Sequence, residues 1–527
     1  MAYLYKMIKQ RKRVVWVSIS MLTLAVISFF VLKSILVHKI ENYLANSLPE
    51  TVKVDYQDIV LNLLKGDLQI DHLSVLNKGE VTNDFIVTVE VQKLLINNVS
   101  YLNYFLSDKI SVGGIELVSP SIVYYHYKAI PSKKYNTLNI EKIKKGLEFK
   151  QLCVKNGNFK MVDKETDSTM VSVTKFDFEI DDVETAQSTL KEKVPFLYDD
   201  YQLSLNDLTC AVGEYETLNV SHSVLSKENS VFTKIKLYTK YSKERFSRII
   251  KTERDHFDLI CDSVRLSGFY FRFITDSTLC INSSLMSVMT PKLNVYRDKL
   301  VANDLTVKKL YSEMLRDLPF SLNVNQVNIV DGQISYTEKV KWENKGGTLD
   351  FSKFNASIEN LSNTYKSPIK TKIKVKSNFM GNTPIDVDWN FDVNNTDDAF
   401  TFNARLGKLK AEQLNKFLEP NLRSKLEGEI NHTRLAIQGN AKRSNIDLQI
   451  KYDDLNVVVL RKDGTEKNKL LSKIVNLVVD KDSGKRSNQK KETKIKSIER
   501  DKTKSVFNFI WKNTKGALLK VLTSKSP

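Results

Sequence analysis

The stretch Ile110 to Ile122, ISVGGIELVSPSI, places apolar residues Ile110, Val112, Ile115, Leu117 and Ile122 at offsets zero, two, five, seven and twelve, with Pro120 at offset ten. Other segments keep the same spacing. LEFKQLCVKNGNF carries Leu147, Phe149, Leu152, Val154, Gly157 and Phe159, and LNVNQVNIVDGQI carries Leu322, Val324, Val327, Ile329, Gly332 and Ile334. LSLNDLTCAVGEY (from Leu203) and INSSLMSVMTPKL (from Ile281, with polar Ser283) follow it, and an imperfect relative starts at Leu68. Steps of two keep side chains on one face of a strand, whereas a step of three reverses them unless a bulge or bend intervenes. Gly or Pro at offset ten marks a second break. Each copy therefore predicts short strand pieces with one apolar face, stacked into an elongated body with an apolar inner surface, although irregular intervals argue against a strict solenoid.

The same alternation recurs elsewhere. Tyr56 to Val75 predicts a hairpin turning at Lys65-Gly66-Asp67. In IKTKIKVKSNF, Ile369, Ile373, Val375 and Phe379 alternate with lysines, and in IDVDWNFDV, Ile385, Val387, Trp389, Phe391 and Val393 alternate with Asp386, Asp388, Asn390 and Asp392. A turn at Met380 to Asn382 sets Lys376 opposite Asp386, Lys374 opposite Asp388 and Lys370 opposite Asp392, leaving the other face apolar. The aspartates lack the glycine and glutamate of a calcium loop and read as a solvated face. Lys308 to Phe320 predicts a short helix with Leu310, Met314 and Leu318 on one face, and KAEQLNKFLEPNLRSKL predicts another before two further strands. Tyr452-Asp453-Asp454 reads as a turn ending a strand.

Five of the net +18 charges fall in residues 1–13 and nine in residues 480–527. A nucleic-acid-binding body would carry its charge on the folded part, so no nucleic-acid partner is expected; charge at the two ends suits membranes. Val14 to Leu32 is uncharged for nineteen residues, about 28 Å of helix, long enough to span a bilayer. Lys6, Lys9, Arg11, Lys12 and Arg13 place the N-terminus on the cytoplasmic side. The run exceeds the apolar core of a cleaved signal peptide, and no small-residue cleavage site follows it. Residues 480–505 read as a charged flexible tether. Residues 506–522 read as a basic amphipathic helix with Val506, Phe507, Ile510, Trp511, Leu518 and Leu522 on its apolar stripe, suited to membrane or partner docking, or else to capping the sheet.

Four scattered cysteines form no Cys-x-x-Cys motif; a Cys261–Cys280 bridge stays open for an oxidising compartment. The six histidines lack metal-ligand spacing, and no hydrolase, Walker or dinucleotide motif is present. The expectation is no enzyme, no catalytic residues, no metal and no cofactor.

With a basic N-terminus, one anchor, YQDIVLNLLKGDLQIDHLSV and ISVGGIELVSPSIVYY, the chain resembles the AsmA-like family of Gram-negative bacteria. LPFSLNVNQVNIVDGQISYTE, IENLSN, GNAKRSNIDLQIKYDDLNVVVL and VFNFIWKNTKGALL resemble the form found in Bacteroidetes-type bacteria. The resemblance implies an inner-membrane-anchored, single-pass periplasmic protein of the bridge-like lipid-transfer group. Its mainly β, mostly antiparallel sheet would curl into a groove that carries phospholipids toward the outer membrane and supports that membrane. The expected layout is a cytoplasmic segment 1–13, a transmembrane helix 14–37, β-rich regions 38–300 and 301–479, the tether and the C-terminal helix, which would meet the outer membrane or an outer-membrane protein. The expected groove floor comprises Ile110, Val112, Ile115, Leu117, Leu147, Phe149, Leu322, Val324, Val327, Ile329, Ile373, Val375, Val387, Trp389 and Phe391. The alternative is a non-enzymatic scaffold for assembling outer-membrane or surface proteins through free sheet edges.

Overall fold

The computed structural model describes residues 2–46, 48–78, 84–100, 103, 109–127, 146–185, 194, 196–275, 278–461, 472 and 491–523. Residues 480–490 of the expected tether lie outside them, as do the side chains of residues 2–20. Among the described residues the fold is mainly β: an N-terminal apolar helix, twenty-four strands in one mostly antiparallel hydrogen-bonded sheet, and a C-terminal helix. The chain divides into two compact units at Asn206/Asp207.

The first unit opens with helix α1 (Ala2–Asn46), whose stretch Met21–Asn46 holds an 18-residue window of mean hydropathy 2.0 and is long and apolar enough to cross a membrane. Its last turns differ from the rest. Val37, Ile40 and Leu44 pack on a small core of Ile59, Ile70, Leu73 and Val91. That core is made by β1 (Val52–Asp55), β2 (Asp58–Asn62), β3 (Asp67–Lys78) and β4 (Phe85–Asn97). The β2–β3 hairpin forms as expected, with Gly66 in the left-handed region (φ +71°) and its N–H donating to the Asn62 carbonyl. Then come β5 (Lys109–Val118), β6 (Ser121–His126), β7 (Gly146–Asp163) and β8 (Ser168–Glu184).

The boundary falls inside β9 (Tyr201–Val212), and the second unit goes on with β10 (Glu216–Ser226), β11 (Asn229–Thr239), helix α2 (Lys243–Ile249), β12 (Asp255–Ser267), β13 (Tyr270–Thr275), β14 (Thr278–Met289) and β15 (Lys292–Asp298). Helix α3 (Tyr311–Arg316) precedes β16 (Ser321–Lys339), β17 (Gly347–Ser362), β18 (Thr371–Phe379), β19 (Thr383–Phe391), β20 (Phe400–Leu406) and β21 (Leu409–Lys410). A single turn at Ala411–Leu414, α4 (Asn415–Leu422), β22 (Ser424–Gly439), β23 (Arg443–Val459), β24 (Lys491–Glu499) and α5 (Val506–Thr523) complete it.

The repeated spacing has a structural cause. Four of the copies pair two by two, in parallel and offset for offset: Ile110, Val112, Ile115, Leu117 and Ile122 face Leu147, Phe149, Leu152, Val154 and Phe159. In the second unit Ile281, Ser283, Met286, Val288 and Leu293 face Leu322, Val324, Val327, Ile329 and Ile334. In both places a broken strand (β5–β6 or β14–β15) lies along one long strand (β7 or β16), whose other side takes an antiparallel strand (β8 or β17).

The bends fall close to where the spacing requires them. At offset three the pairing skips a residue: Gly113/Lys150 and Ser284/Asn325 are unpaired, while Asp182 and Asn360 on the neighbouring strands take φ of 49° and 59°. The second break sits at offset nine, one residue before the Gly or Pro, with Ser119, Asn156, Thr290 and Asp331 all at positive φ. Its hydrogen bonds repeat as well: the Ser119 and Thr290 N–H groups donate to the carbonyls of Lys155 and Val330 at 2.7 and 2.8 Å. Asx side chains hold several bends, since Asn98, Asn156, Asp331 and Ser497, all left-handed, donate their N–H to Oδ1 of Asp67, Asp177, Asn355 and Asn445. Short polar side chains make the left-handed region accessible, and their oxygens replace the lost ladder acceptor.

Three expectations are corrected. Tyr452-Asp453-Asp454 lies inside β23; Asp454 at φ 50° makes a bulge, and the strand continues to Val459. Lys491–Glu499 is a strand on the edge of β23, because Thr493 and Ile495 find Leu448 and Ile446 as partners. In α3, Leu310 is buried at the start but Met314 is exposed, so the helix turns a different side to the core from the one its spacing suggested.

Candidate functional site: an apolar sheet face

Within each unit the cross-strand registers align the apolar positions into continuous rows. In the first unit one row runs Leu61–Leu68–Ile96–Ile115–Leu152–Ile180, and its neighbour runs Ile59–Ile70–Leu94–Leu117–Val154–Phe178. Each crosses six strands on one face without a polar residue.

In the second unit the rows are longer. Leu266–Met286–Val327–Ile358–Ile373–Trp389–Phe402–Ile437–Ile446–Ile495 crosses ten strands from β12 to β24. Beside it, Phe232–Val264–Val288–Ile329–Ala356–Val375–Val387–Ala404–Leu435–Leu448 crosses ten from β11 to β23. The members lie two residues apart on every strand, so the pleat turns them to the same side. The opposite side carries the charges: Lys376 faces Asp386 and Lys374 faces Asp388, as the spacing predicted. Lys370 and Ile369 precede β18 and stand outside that ladder; Lys370 nonetheless lies near Asp392. There burial would raise the carboxyl, but bonds from Ser367 and Asn394, with Lys370, hold it below the usual range.

The expected floor residues divide into three groups. Ile115, Leu117, Val327, Ile329, Ile373, Val375 and Val387 sit in the rows and, apart from buried Val327, are half-buried. Ile110, Val112, Leu147, Phe149, Leu322 and Val324 lie three or five residues along the same strands, where Val112 and Phe149 join Ile180 and Val183 in a small core. Leu322 pairs with Ile281, and Val324 pairs with Leu361 and Ser283. Trp389 and Phe391, by contrast, belong to a filled core. Trp389 lies 5.3 Å from the Tyr311 ring and 6.2 Å from Phe507, and the space beside them is about 10 Å³, no larger than one water.

That core is closed by α5. Val506, Phe509, Ala517 and Val521 are buried against Ile437, Ile446, Leu448 and Tyr452, and buried Asn513 accepts from the Ser444 hydroxyl at 2.9 Å. The helix therefore caps one end of the rows. Of the residues expected to dock, Val506 is buried, Ile510, Leu518 and Leu522 pack partly against the same core, and Phe507 and Trp511 remain 60% and 46% exposed. Phe509 and Asn513 were missing from the expected stripe and are buried.

The segment before α5 is pinned rather than loose. Lys504 Nζ donates to Glu253 Oε1 at 2.7 Å and to Asn303 at 2.9 Å, Lys299 meets the same carboxylate at 2.6 Å, and Arg500 donates to the Lys308 carbonyl. Glu253 is 3% exposed. Burial alone would raise its carboxyl, but the hydrogen bonds from Lys299 and Lys504 hold it below the ordinary range.

All four cysteines are free thiols; Cys261 donates to the carbonyls of Ser263 and Met289 at 3.3 Å, and no Cys261–Cys280 bridge exists. Among the described residues no group of three His, Cys, Asp or Glu could hold a metal ion. No family model matches the chain, and no curated protein matches it.

Proposed function

We propose that this protein is a membrane-anchored, non-enzymatic lipid carrier whose apolar sheet face accommodates acyl chains. In the AsmA-like reading, α1 is the inner-membrane anchor, the sheet lies in the periplasm, and phospholipid moves toward the outer membrane. The observation that carries the proposal is the run of apolar rows whose members stay largely half-buried. A folded sheet gains by burying such a face, so one left partly open over many strands suits a mobile apolar occupant, which needs no specific polar ligand. The contact of Val37, Ile40 and Leu44 with Ile59 and Ile70 supports it, because it sets the start of a row beside the membrane-facing helix.

A scaffold reading draws on the second unit. There α5 fills the face over Trp389 and Leu448 as in an ordinary protein core. Photoreactive residues at Met286, Ile358 and Val375, with Lys374 on the charged face as control, separate the two. Phospholipid adducts at the three row positions and none at Lys374 are expected; equal labelling of both faces, or protein adducts alone, would replace the carrier with the scaffold.

A further inference from the structure

Helix α5 has a second face that the sheet leaves exposed, touched only at its edges, where the Phe507 ring reaches Trp389 at 6.2 Å. Its buried positions are Val506, Phe509, Asn513, Ala517 and Val521. On the outside, Phe507, Trp511, Lys515 and Leu519 follow one another at intervals of four and are all exposed, flanked by exposed Lys512 and Lys520. Residues 506–523 contain three lysines and no acid. The lysine stems reach sideways, Lys512 and Lys520 donating to the carbonyls of Glu499 and Lys494 at 2.7 and 3.3 Å. Adjoining β24 exposes Lys494 and Lys496 with Glu492 and Glu499, so the positive excess comes from the helix.

An exposed ridge of Phe, Trp and Leu between cations is the composition that enters the interfacial layer of a bilayer, where the rings sit at headgroup level and the ammonium groups meet anionic headgroups. We infer that the outer face of α5 docks on an anionic lipid surface while its inner face stays on the sheet. The docking residues are then Phe507, Trp511 and Leu519 with Lys512, Lys515 and Lys520. The inference rests on the carrier reading only for the reason a second membrane would be met. A protein partner would need an acidic, apolar-centred groove, and lipid is favoured because aromatic and basic side chains interleave along a single convex helix.

The test uses the full chain, with α1 in phosphatidylcholine nanodiscs, floated with liposomes of phosphatidylcholine alone or with added phosphatidylglycerol. Flotation is expected only with the anionic liposomes and should fall as salt rises from about 50 to about 300 mM. Trp511→Ser with Leu519→Ser, and separately Lys515→Gln, should each weaken capture, the double variant about tenfold. Hydrogen exchange of residues 506–523 shows whether α5 stays seated; because Lys515 is exposed on the outer face, its variant decides the matter even if the double variant loosens the helix. Equal capture by neutral liposomes, no capture, or capture indifferent to Lys515→Gln would overturn the inference. No capture of the unsubstituted chain by anionic liposomes, with adducts retained at Met286, refutes docking alone, and capture without adducts at Met286 refutes lipid carriage alone.

Discussion

If Glu253 latches the chain that leads into α5, removing its charge should loosen that helix far from the substitution itself. The carboxylate is nearly inaccessible and shared by Lys299 and Lys504, whose side chains are 23% and 20% exposed. Breaking a fully buried pair costs about 3 to 5 kcal/mol; the lysines here can still swing toward water, so Glu253→Gln should cost about 2 to 3 kcal/mol. Lys504→Met should cost less, about 1 kcal/mol, because Lys299 continues to neutralise the glutamate. The two are in contact, and the double variant should show a coupling of about 1 kcal/mol. Hydrogen exchange of the 506–523 segment measures this directly, since 1.4 kcal/mol of local opening is about a tenfold change in rate. The sign with pH follows from the carboxyl's depressed folded value. Its stabilisation is complete above the unfolded value of about 4.3 and is lost as pH falls through the lower folded value. Protection corrected for intrinsic exchange should therefore hold between about pH 7 and pH 5 and decline below that. Unchanged exchange in Glu253→Gln would show that the triad does not hold α5.

Two other expectations concern the repeated strands and the thiols. A Cβ on Gly332 would lie 3.2 Å from Pro291 Cγ and 3.3 Å from the Phe354 carbonyl oxygen, whereas one on Gly114 meets nothing nearer than 3.7 Å. Gly332→Ala should thus lower stability by about 1 kcal/mol and Gly114→Ala should be near neutral; denaturant midpoints that rank them the other way would contradict the paired-copy register. Buried Cys261, whose thiol burial pushes up, should resist maleimide in the folded protein and react only on unfolding, and peptide mapping should find no Cys261–Cys280 bridge.

The spacing of two, three and two that begins at Ile110 was enough to read strand, bend and apolar face, because side-chain alternation is a local property. It was not enough to show that Ile110 stands beside Leu147. Parallel pairing joins segments through intervening chain, and equal spacing is also what two unrelated strands would display. The left-handed residues Asn156 and Asp331 sat next to the glycines that drew attention; the Asn or Asp before Gly was the available signal. On α5 the apolar residues cover more than half the circumference, so helical periodicity could not say which third the sheet would take. Phe509 went unnoticed, and exposed Phe507 was placed on one stripe with buried Val506, for that reason. Lys491–Glu499 looked like tether because long charged side chains dominate it, and only the open edge of β23 makes it a strand.

The parallel pairing of β14–β15 with β16 carries a topological obligation. Antiparallel neighbours can be joined by a turn of two residues, but a strand that runs alongside its predecessor in the same direction needs the chain to travel back first. In the second unit that return journey is the stretch from Asp298 to Ser321, and it contains α3, which sets Leu310 and Tyr311 over Trp389. A sheet made only of hairpins would have had no such segment to spare. Local reversal of strand polarity thus supplies a covering element from within the ladder, at the place in the chain where one apolar row passes from half-open to closed.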